Sequence, residues 1–543
     1  MRSTPSLWDM RWVLGVDSDG RVRDYSLRET FAHAHEIRGL RGATVVIEAA
    51  MFRLLLAIVI DVVGGLAADE WAERWRQRRF DAGEFERYAQ AVEDRFHLFG
   101  EAPFYQVAGL EATSGEVKST LLLFPEMASG NSVPLFSVVS EADAPVVPLP
   151  EAARRLVALH ATDVAGIKTG ARGDPQVSGG KTTGNLTGPM GQLGVTIPLG
   201  RNLFESLMLN CPPTDSAADD MPAWRRPPDG PAWETRPSTG ILDLLTWQSR
   251  RVRLVPDDAA KPSAVVGVIV TNGDRLEAID PAHEPHSAWR AQDAARGGMS
   301  QRPVRHQAGK AAWRGMESMV ALSPGVVDLI LKEKRQPAVQ ANALKWAGER
   351  TSVVGTAYPL NVRTIGIEYG NQQAVIDHVW ADEIPLPVLA LSNSEESQAV
   401  RQALVEVVVA ADAVRQLVNH LANDLLLSIG GTALPWDKGD HPGDRFIALI
   451  DPLTRQFLRR LRDHPTDAEA AGVAWERDIR TAALSVAEPL IEQVPPASFL
   501  GRHPDKEGRK PRMNQAQAEH WFRIGLAGAL PRAAEQETSE RKQ

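Results

Sequence analysis

The sequence contains a single cysteine, Cys211, among its 543 residues. A disulfide framework needs paired cysteines, and multi-cysteine zinc or iron–sulfur sites need several thiolates, so both are excluded. The chain also lacks an excess of basic residues, because 60 lysines and arginines stand against 69 aspartates and glutamates. A protein that covers nucleic-acid phosphates with its whole surface would be basic. Any nucleic-acid contact is therefore expected to be local.

Long hydrophobic runs are missing as well. The most apolar region, residues 43–65, is interrupted by Glu48, Arg53 and Asp61, and no run in it approaches the roughly 20 apolar residues that cross a bilayer. Residues 1–9 lack the apolar stretch of a signal peptide. The sequence therefore predicts a buried helix in residues 43–65, no membrane contact, and a reducing, cytoplasmic location.

The first 391 residues mix strand and helix patterns. Alternating apolar and polar residues around a Gly-centred turn predict a hairpin over residues 12–25, and a capping box of Ser26 and Glu29 opens a helix running to about Ile37. Helical patterns continue to about residue 96. Two later apolar runs, 362–367 and 374–380, predict a second hairpin with a polar tip. We therefore expect a large mixed N-terminal domain over residues 1–391.

The pattern changes near residue 392. Ser392 and Glu395 match a capping box, and apolar residues then recur at spacings of three and four until Gly430 and Gly431. Three more helical patterns follow, at about 444–463, 467–493 and 514–530. The sequence thus predicts an α+β protein with a C-terminal antiparallel four-helix bundle over residues 392–530. The charged residues 531–543 are expected to be a disordered tail.

A search for catalytic chemistry finds one enzyme-like string, Gly-Gly-Lys-Thr at residues 179–182, which resembles the end of a phosphate-binding loop. A Walker A loop needs a glycine five positions before Gly180, but Pro175 stands there and lacks an N–H. A nucleotide-dependent enzyme remains an alternative. Pairs such as His283 and His286 have no third ligand, so no metal, cofactor or catalytic group is expected.

Basic residues are dense in two places: residues 247–253, and a second patch of Arg302, Arg305, His306, Lys310 and Arg314. Arg250, Arg251 and Arg253 follow Trp247 on an extended segment, a combination that suits phosphate backbones. Intramolecular ion pairs with the many acids are the alternative interpretation. On the second predicted bundle helix, a basic face holds Arg455, Arg459 and Arg462, which could equally be a solvated surface.

Four strings occur in order along the chain: YSLRE at 25–29, FHLF at 96–99, GRNLFE at 200–205 and LTWQSRR at 245–251. They resemble the CasA family, which supplies the large subunit of the type I-E CRISPR surveillance complex Cascade. The predicted helical bundle also occupies the position where the family carries one.

This resemblance implies binding and not catalysis. Family members act in a complex whose guide RNA reads the target sequence, while the large subunit recognises a short protospacer-adjacent motif in double-stranded DNA and helps to open the duplex. The implied partners are target DNA, the guide RNA, the backbone and small subunits of the complex, and a separate helicase-nuclease. A scaffold subunit without DNA contact is the remaining alternative.

The resemblance also implies roles for individual residues. A glycine loop reads the minor groove, where the donor and acceptor pattern is degenerate and close backbone approach matters; it falls on Ser178, Gly179 and Gly180. A glutamine wedge that starts strand separation falls on Gln373, with Gln372 and Asn371 beside it. The other implied positions are the basic finger at Arg275, the guide and DNA loop at Leu135 and Phe136, backbone contacts at Arg250, Arg251 and Arg253, and the bundle face at Arg455, Arg459 and Arg462.

Overall fold

The computed structural model describes residues 6–126, 144–213, 219–293, 299–332, 337–435, 439–503 and 512–540. The chain divides into two compact units. Unit 1 comprises Met1–Lys310, Ala338–Val353 and Leu360–Glu383, and unit 2 comprises Ala311–Pro337, Val354–Pro359 and Ile384–Gln543. The chain therefore passes between the units several times, whereas the sequence predicts one boundary after residue 391.

Helices occur in both units. Their bounds are α1 Leu27–Ala32, α2 Val45–Val63, α3 Ala68–Gln77, α4 Ala82–Val92, α5 Leu149–Thr162, α6 Leu203–Asn210, α7 Ile241–Leu245, α8 Pro324–Lys332, α9 Asn342–Glu349, α10 Thr351–Val354, α11 Gln398–Ser428, α12 Pro442–Asp463, α13 Ala468–Glu492, α14 Ala497–Leu500, α15 Gln515–Ala529 and α16 Pro531–Glu540.

Strands form several small sheets. Their bounds are β1 Val13–Val16, β2 Val22–Tyr25, β3 Gly39–Arg41, β4 Val147–Pro148, β5 Val195–Leu199, β6 Thr235–Arg236, β7 Arg250–Pro256, β8 Ala264–Asn272, β9 Arg275–Leu276, β10 Trp289–Asp293, β11 Met299–Pro303, β12 Ala338–Val339, β13 Asn361–Gly370 and β14 Val375–Pro385. Strand orders are β2-β1-β3, β11-β10-β12, β14-β13-β5, β4-β8-β7 and β6-β9. The mixture of helices and small sheets confirms the expected α+β character.

Local sequence signals explain the start of unit 1. The β1–β2 hairpin forms as predicted, and Ser26 and Glu29 make the reciprocal capping bonds that open α1. That helix ends at Ala32, earlier than predicted. Helix α2 is buried from Val46 to Ile60, which confirms the buried helix expected in residues 43–65. No helix in the described ranges combines the length and apolarity that crossing a membrane requires.

Unit 2 contains the long helices predicted after residue 392. Helix α11 packs against α12, α13 and α15 through the predicted apolar positions, among them Leu404, Val414 and Leu421. The predicted capping box is wrong, because the hydroxyl of Ser392 donates to the carbonyl of Leu389 and the helix begins six residues later, at Gln398.

Two further expectations for unit 2 need correction. Residues 531–540 are not disordered, because they form α16, and the guanidinium of Arg532 bonds the carboxylates of Glu406 and Glu476. Residues 311–337 belong to this unit as well. Trp313 donates its indole N–H to Asp451 at 2.8 Å, and Arg314 donates to Asp412 at 2.9 Å. These bonds attach the segment to α12 and α11.

Candidate nucleic-acid interface

The predicted glycine loop lies in residues 165–186, which we call the glycine arm. The two ends of the arm pair with each other through Gly166 and Asn185, and its middle pairs with residues 111–113 through Ala171 and Ala112. Gly179 and Gly180 have φ values of +58° and +76°, and the flanking residues Ser178 and Lys181 exchange both backbone hydrogen bonds. This is the two-residue hairpin turn in which both central residues need positive φ, a conformation that glycine adopts at least cost. A Cβ at Gly179 would meet no atom within 4 Å, so the turn is open at Gly179. The carbonyl oxygen of Gly180, by contrast, accepts from the backbone N–H of Gly170 and the hydroxyl of Thr113.

This geometry contradicts the phosphate-binding-loop alternative. Gly180 is followed by Lys181 in an antiparallel bridge with Ser178 and Thr169. A Walker A loop instead runs directly into a helix whose N-terminal amides cradle the phosphates. Within the described residues, no group of three or more His, Cys, Asp or Glu side chains is placed to hold a metal ion.

The base of the glycine arm is held by Arg250 on β7. Its Nη2 donates to the carbonyl oxygens of Val164 and Leu186 at 2.9 Å each, and its Nε donates to Asp163. One guanidinium thus joins both strands of the arm where the arm begins and ends. Arg250 is 1% exposed, so the expectation that it contacts a phosphate backbone is wrong.

Arg251 is also buried, with 4% exposure, so the expectation that it contacts a phosphate backbone is wrong as well. It bonds Asp274 at 2.7 Å and pairs with Asp229 at 3.1 Å. Both arginines lie on a strand paired with β8, inside unit 1, where acids from distant segments meet them. Arg253 is partly exposed and donates to the carbonyl of Leu110; its proposed backbone contact stays a prediction.

A three-membered charge cluster lies beneath the arm. The carboxylate of Asp163 accepts from Arg250 and pairs with Lys168 at 2.8 Å. Burial by itself would raise the pKa of Asp163, but the two cations outweigh this effect and hold the pKa at about 2. Burial lowers the pKa of Lys168. One carboxylate therefore faces two cations, and the cluster carries a net positive charge at the base of the arm.

The predicted wedge is the tip of the β13–β14 hairpin. Asn371, Gln372 and Gln373 are exposed and have φ values of 39°, 59° and 66°. Three successive non-glycine residues in the left-handed region store backbone strain of about 1–2 kcal/mol each. A Cβ at Gly370 would overlap the carboxylate of Asp377, which explains the glycine at the start of the tip.

The structure brings the wedge and the glycine arm together. The backbone N–H of Ala165, the first residue of the arm, donates to the carbonyl oxygen of Gln373 at 2.9 Å. Four residues before Gln373, the hydroxyl of Tyr369 donates to the carbonyl oxygen of Thr162 at 2.7 Å. Two elements more than 180 residues apart in the sequence are thus fixed side by side.

Arg275, the candidate basic finger, lies on β9 and donates to the carbonyl oxygen of Gly184 in the glycine arm. Its guanidinium lies 5.6 Å from the ring centroid of Trp233. The nearby amide of Asn272 donates to Thr183 at 2.6 Å. The glycine arm that carries residues 178–180 therefore contacts Arg275 through Gly184 and the wedge through Ala165.

Five further candidates remain. Leu135 and Phe136 fall outside the described residues. On α12, Arg455 donates to Asp451 and Arg462 to Asp463, while Arg459 is exposed. Sequence reasoning missed Asp163 and Lys168, because an acid at the end of α5 gives no local signal of its partner Arg250, 87 residues away.

The class of this protein follows from solved structures that share its fold. The chain has the fold of CRISPR-associated proteins. It superposes on Cse1 of Thermobifida fusca with a TM-score of 0.84 and 30% sequence identity, over 98% of this chain and 99% of that one. Cse1 of Acidimicrobium ferrooxidans gives 0.79 and 27%, over 97% and 98%. A chain of a CRISPR RNA-guided surveillance complex shares the fold at 19% identity, with a TM-score of 0.72 over 96% of this chain and 99% of that one.

The family follows from the sequence as well. The family model of CRISPR-associated protein Cse1 matches residues 6–486, and a Thermus thermophilus relative, "CRISPR-associated protein CasA/Cse1", is 27% identical over 502 residues, 88% of this chain and 91% of the relative. The chain belongs to the Cse1 family. The predicted resemblance to CasA is thereby confirmed.

Proposed function

We propose that this Cse1-family chain is the large subunit of an RNA-guided surveillance complex and that it recognises a short motif in double-stranded DNA and helps to open the duplex. The hydrogen bond between Ala165 and Gln373 carries the proposal. It joins the base of the arm that carries the glycine turn, suited to reading a groove, to the hairpin tip whose exposed amides are suited to entering a duplex.

Motif reading is assigned to Ser178, Gly179, Gly180 and Arg275. The exposed turn has no side chains at its two central positions, so its backbone groups can approach base edges in a minor groove. Arg275 lies against the other side of the same arm and supplies a cation that suits the negative potential of that groove.

Strand opening is assigned to Gln373, with Gln372 and Asn371. A group that enters a duplex replaces lost stacking and pairing, and a side-chain amide offers a planar surface together with a donor and an acceptor. The positive φ values of the tip fix the three side chains in a tight, outward-facing turn before DNA arrives.

The remaining assignments concern partners. Leu135 and Phe136 are proposed to contact the guide and the adjoining DNA. We infer that α11, α12, α13 and α15 form an antiparallel four-helix bundle whose basic face (Arg455, Arg459 and Arg462) contacts small subunits and the non-target strand. The chain is further proposed to act by binding and to help recruit a separate helicase-nuclease.

The test is duplex binding by the guide-loaded complex with and without this subunit, on matched targets that differ only in the flanking motif. We expect motif-dependent binding only with the subunit, and Gln373→Ala to block strand opening. Gln456→Ala, at an exposed glutamine of α12, is the matched control and should leave opening unchanged. Binding that depends on neither the subunit nor the motif would favour the alternative of a scaffold subunit without DNA contact.

A further inference from the structure

The two strands of the glycine arm send alternate side chains to opposite sides. Gly166 and Asn185 exchange both backbone hydrogen bonds, each 3.1 Å long, so they are directly opposite each other. Inward, Lys168 reaches Asp163, and the amide of Asn185 donates to the carbonyl of Gly273. Because side chains alternate along a strand, the intervening residues must face outward.

The outward-facing residues are apolar. Ile167 is 67% exposed and Leu186 is 45% exposed. In this register Leu186 lies opposite Ala165, and Ile167 lies opposite Gly184, where an ideal Cβ would come within 3.9 Å of Ile167 Cγ1. Ala165, Ile167 and Leu186 therefore share one face of the arm, which we call the apolar platform. Glycine at 184 leaves the middle of that face open.

Polar groups border the platform on two sides. Ala165, at one edge, donates its N–H to Gln373 of the wedge, and Gly184, at the other, accepts from Arg275. The platform is also held in place from below, because Arg250 bonds the carbonyl of Leu186 at 2.9 Å. Two large apolar side chains are thus exposed between the backbone of the wedge and the guanidinium of Arg275.

We propose that the apolar platform packs against the last intact base pair of the target duplex while the wedge parts the strands beside it. This inference rests on the proposed function. A base pair has an apolar face, which the aliphatic surface of Ile167 and Leu186 matches. The platform lies between the arm contacts to Gln373, assigned to strand opening, and to Arg275, assigned to motif reading. Ile and Leu side chains are among those that proteins use against base steps in the minor groove.

The test compares Ile167→Ser and Leu186→Ser with Val22→Ser, a matched control on β2 where the valine is 56% exposed. Each full-length variant is assembled into the guide-loaded complex, and opening is followed by the fluorescence of 2-aminopurine placed next to the motif. A parallel target carries a pre-opened bubble at the same place. Since all three side chains are exposed, we expect unchanged thermal unfolding.

The expected result is opening of the intact duplex slowed about tenfold by Ile167→Ser and Leu186→Ser, the scale of one lost base-stacking contact. Binding of the pre-opened target and the behaviour of Val22→Ser should stay within about twofold of wild type. Ile167→Met, which keeps an apolar surface, should restore opening.

Three outcomes would overturn the proposal. Wild-type opening by Ile167→Ser and Leu186→Ser would show that the platform contacts no base pair. Failure of these variants to assemble would assign the platform to a protein partner instead. If the wild-type complex itself shows no motif dependence, the proposed function fails too, whereas normal motif dependence with neutral serine variants removes the platform alone.

Discussion

Arg250 and Asp163 form a buried ion pair in which Nε lies 2.5 Å from Oδ2, with side-chain exposures of 0% and 9%. The same arginine bonds the backbone at both ends of the glycine arm. Its charge is therefore used inside the protein, to fix the position of the loop assigned to motif reading.

Replacing Arg250 should lower the stability of the protein. In Arg250→Met the carboxylate of Asp163 keeps only Lys168 as a cationic partner, and several buried carbonyl oxygens lose their hydrogen-bond donor. We therefore expect the free energy of unfolding to fall by about 3–5 kcal/mol. Arg253→Met, on the same strand but partly exposed, should cost less than about 1 kcal/mol. Urea denaturation measures both. Equal stabilities with weakened DNA binding would instead make Arg250 a phosphate contact.

Mild acid should destabilise unit 1 through His160. Burial lowers the pKa of this histidine from 6.5 to about 4, and its Nε2 lies 2.9 Å from the carbonyl oxygen of Tyr105. Between pH 6.5 and 4 the unfolded chain binds the extra proton, so stability falls as the pH falls, by up to about 1.4 kcal/mol per unit. His160→Gln should flatten this slope in urea denaturation at several pH values. An unchanged slope would contradict the assignment.

The glycine turn allows stability and recognition to be separated. Gly179→Ala introduces a Cβ into open space but at a φ of +58°, so we expect a cost of about 1 kcal/mol and selective loss of binding to motif-bearing DNA. Gly39→Ala is the matched control, since its Cβ also meets nothing within 4 Å and no positive φ is required. Parallel losses on DNA with and without the motif would contradict motif reading.

Strain in the wedge tip predicts an unusual order of substitutions. Gln372 has a φ of 59°, so Gln372→Gly should be more stable than Gln372→Ala by about 1 kcal/mol. On an ordinary helix the order reverses, and Gln456 on α12 supplies that comparison. Thermal unfolding of the glycine and alanine variants at both positions measures the two differences in stability. If Gln372→Ala is at least as stable as Gln372→Gly, the backbone of the tip relaxes and stores no strain.

Local patterns predicted much of the fold because their causes are local. The hairpin at Val13–Tyr25 and the capping box at Ser26 need only neighbouring residues. The inward orientation of the Arg250 and Arg251 side chains could not be predicted in this way, because their acidic partners Asp163 and Asp274 lie 87 and 23 residues away. Both faces of β7 are buried, so strand alternation exposes neither arginine.

For the site elements, too, the sequence indicates single features but not the contacts between distant segments. The resemblance to the CasA family implies the glycine loop at Gly179 and Gly180, and the hairpin around Gln373 follows from its flanking strands. The arm and the hairpin meet through two hydrogen bonds to backbone carbonyl oxygens, from Ala165 to Gln373 and from Tyr369 to Thr162. Backbone groups carry no residue-specific signal, so only the folded chain reveals that contact.

The ladder between Gly166 and Asn185 also limits how the length of the arm can change. Adding one residue to one strand would shift the register by one and turn Ile167 inward while Lys168 turned out. The other end of the segment is also attached, because the carbonyl oxygen of Gly180 accepts from the hydroxyl of Thr113 and Ala171 bridges Ala112. An insertion between these two attachments would have to break one of them, so the spacing between the charged cluster and the Gly179–Gly180 turn is fixed from both ends.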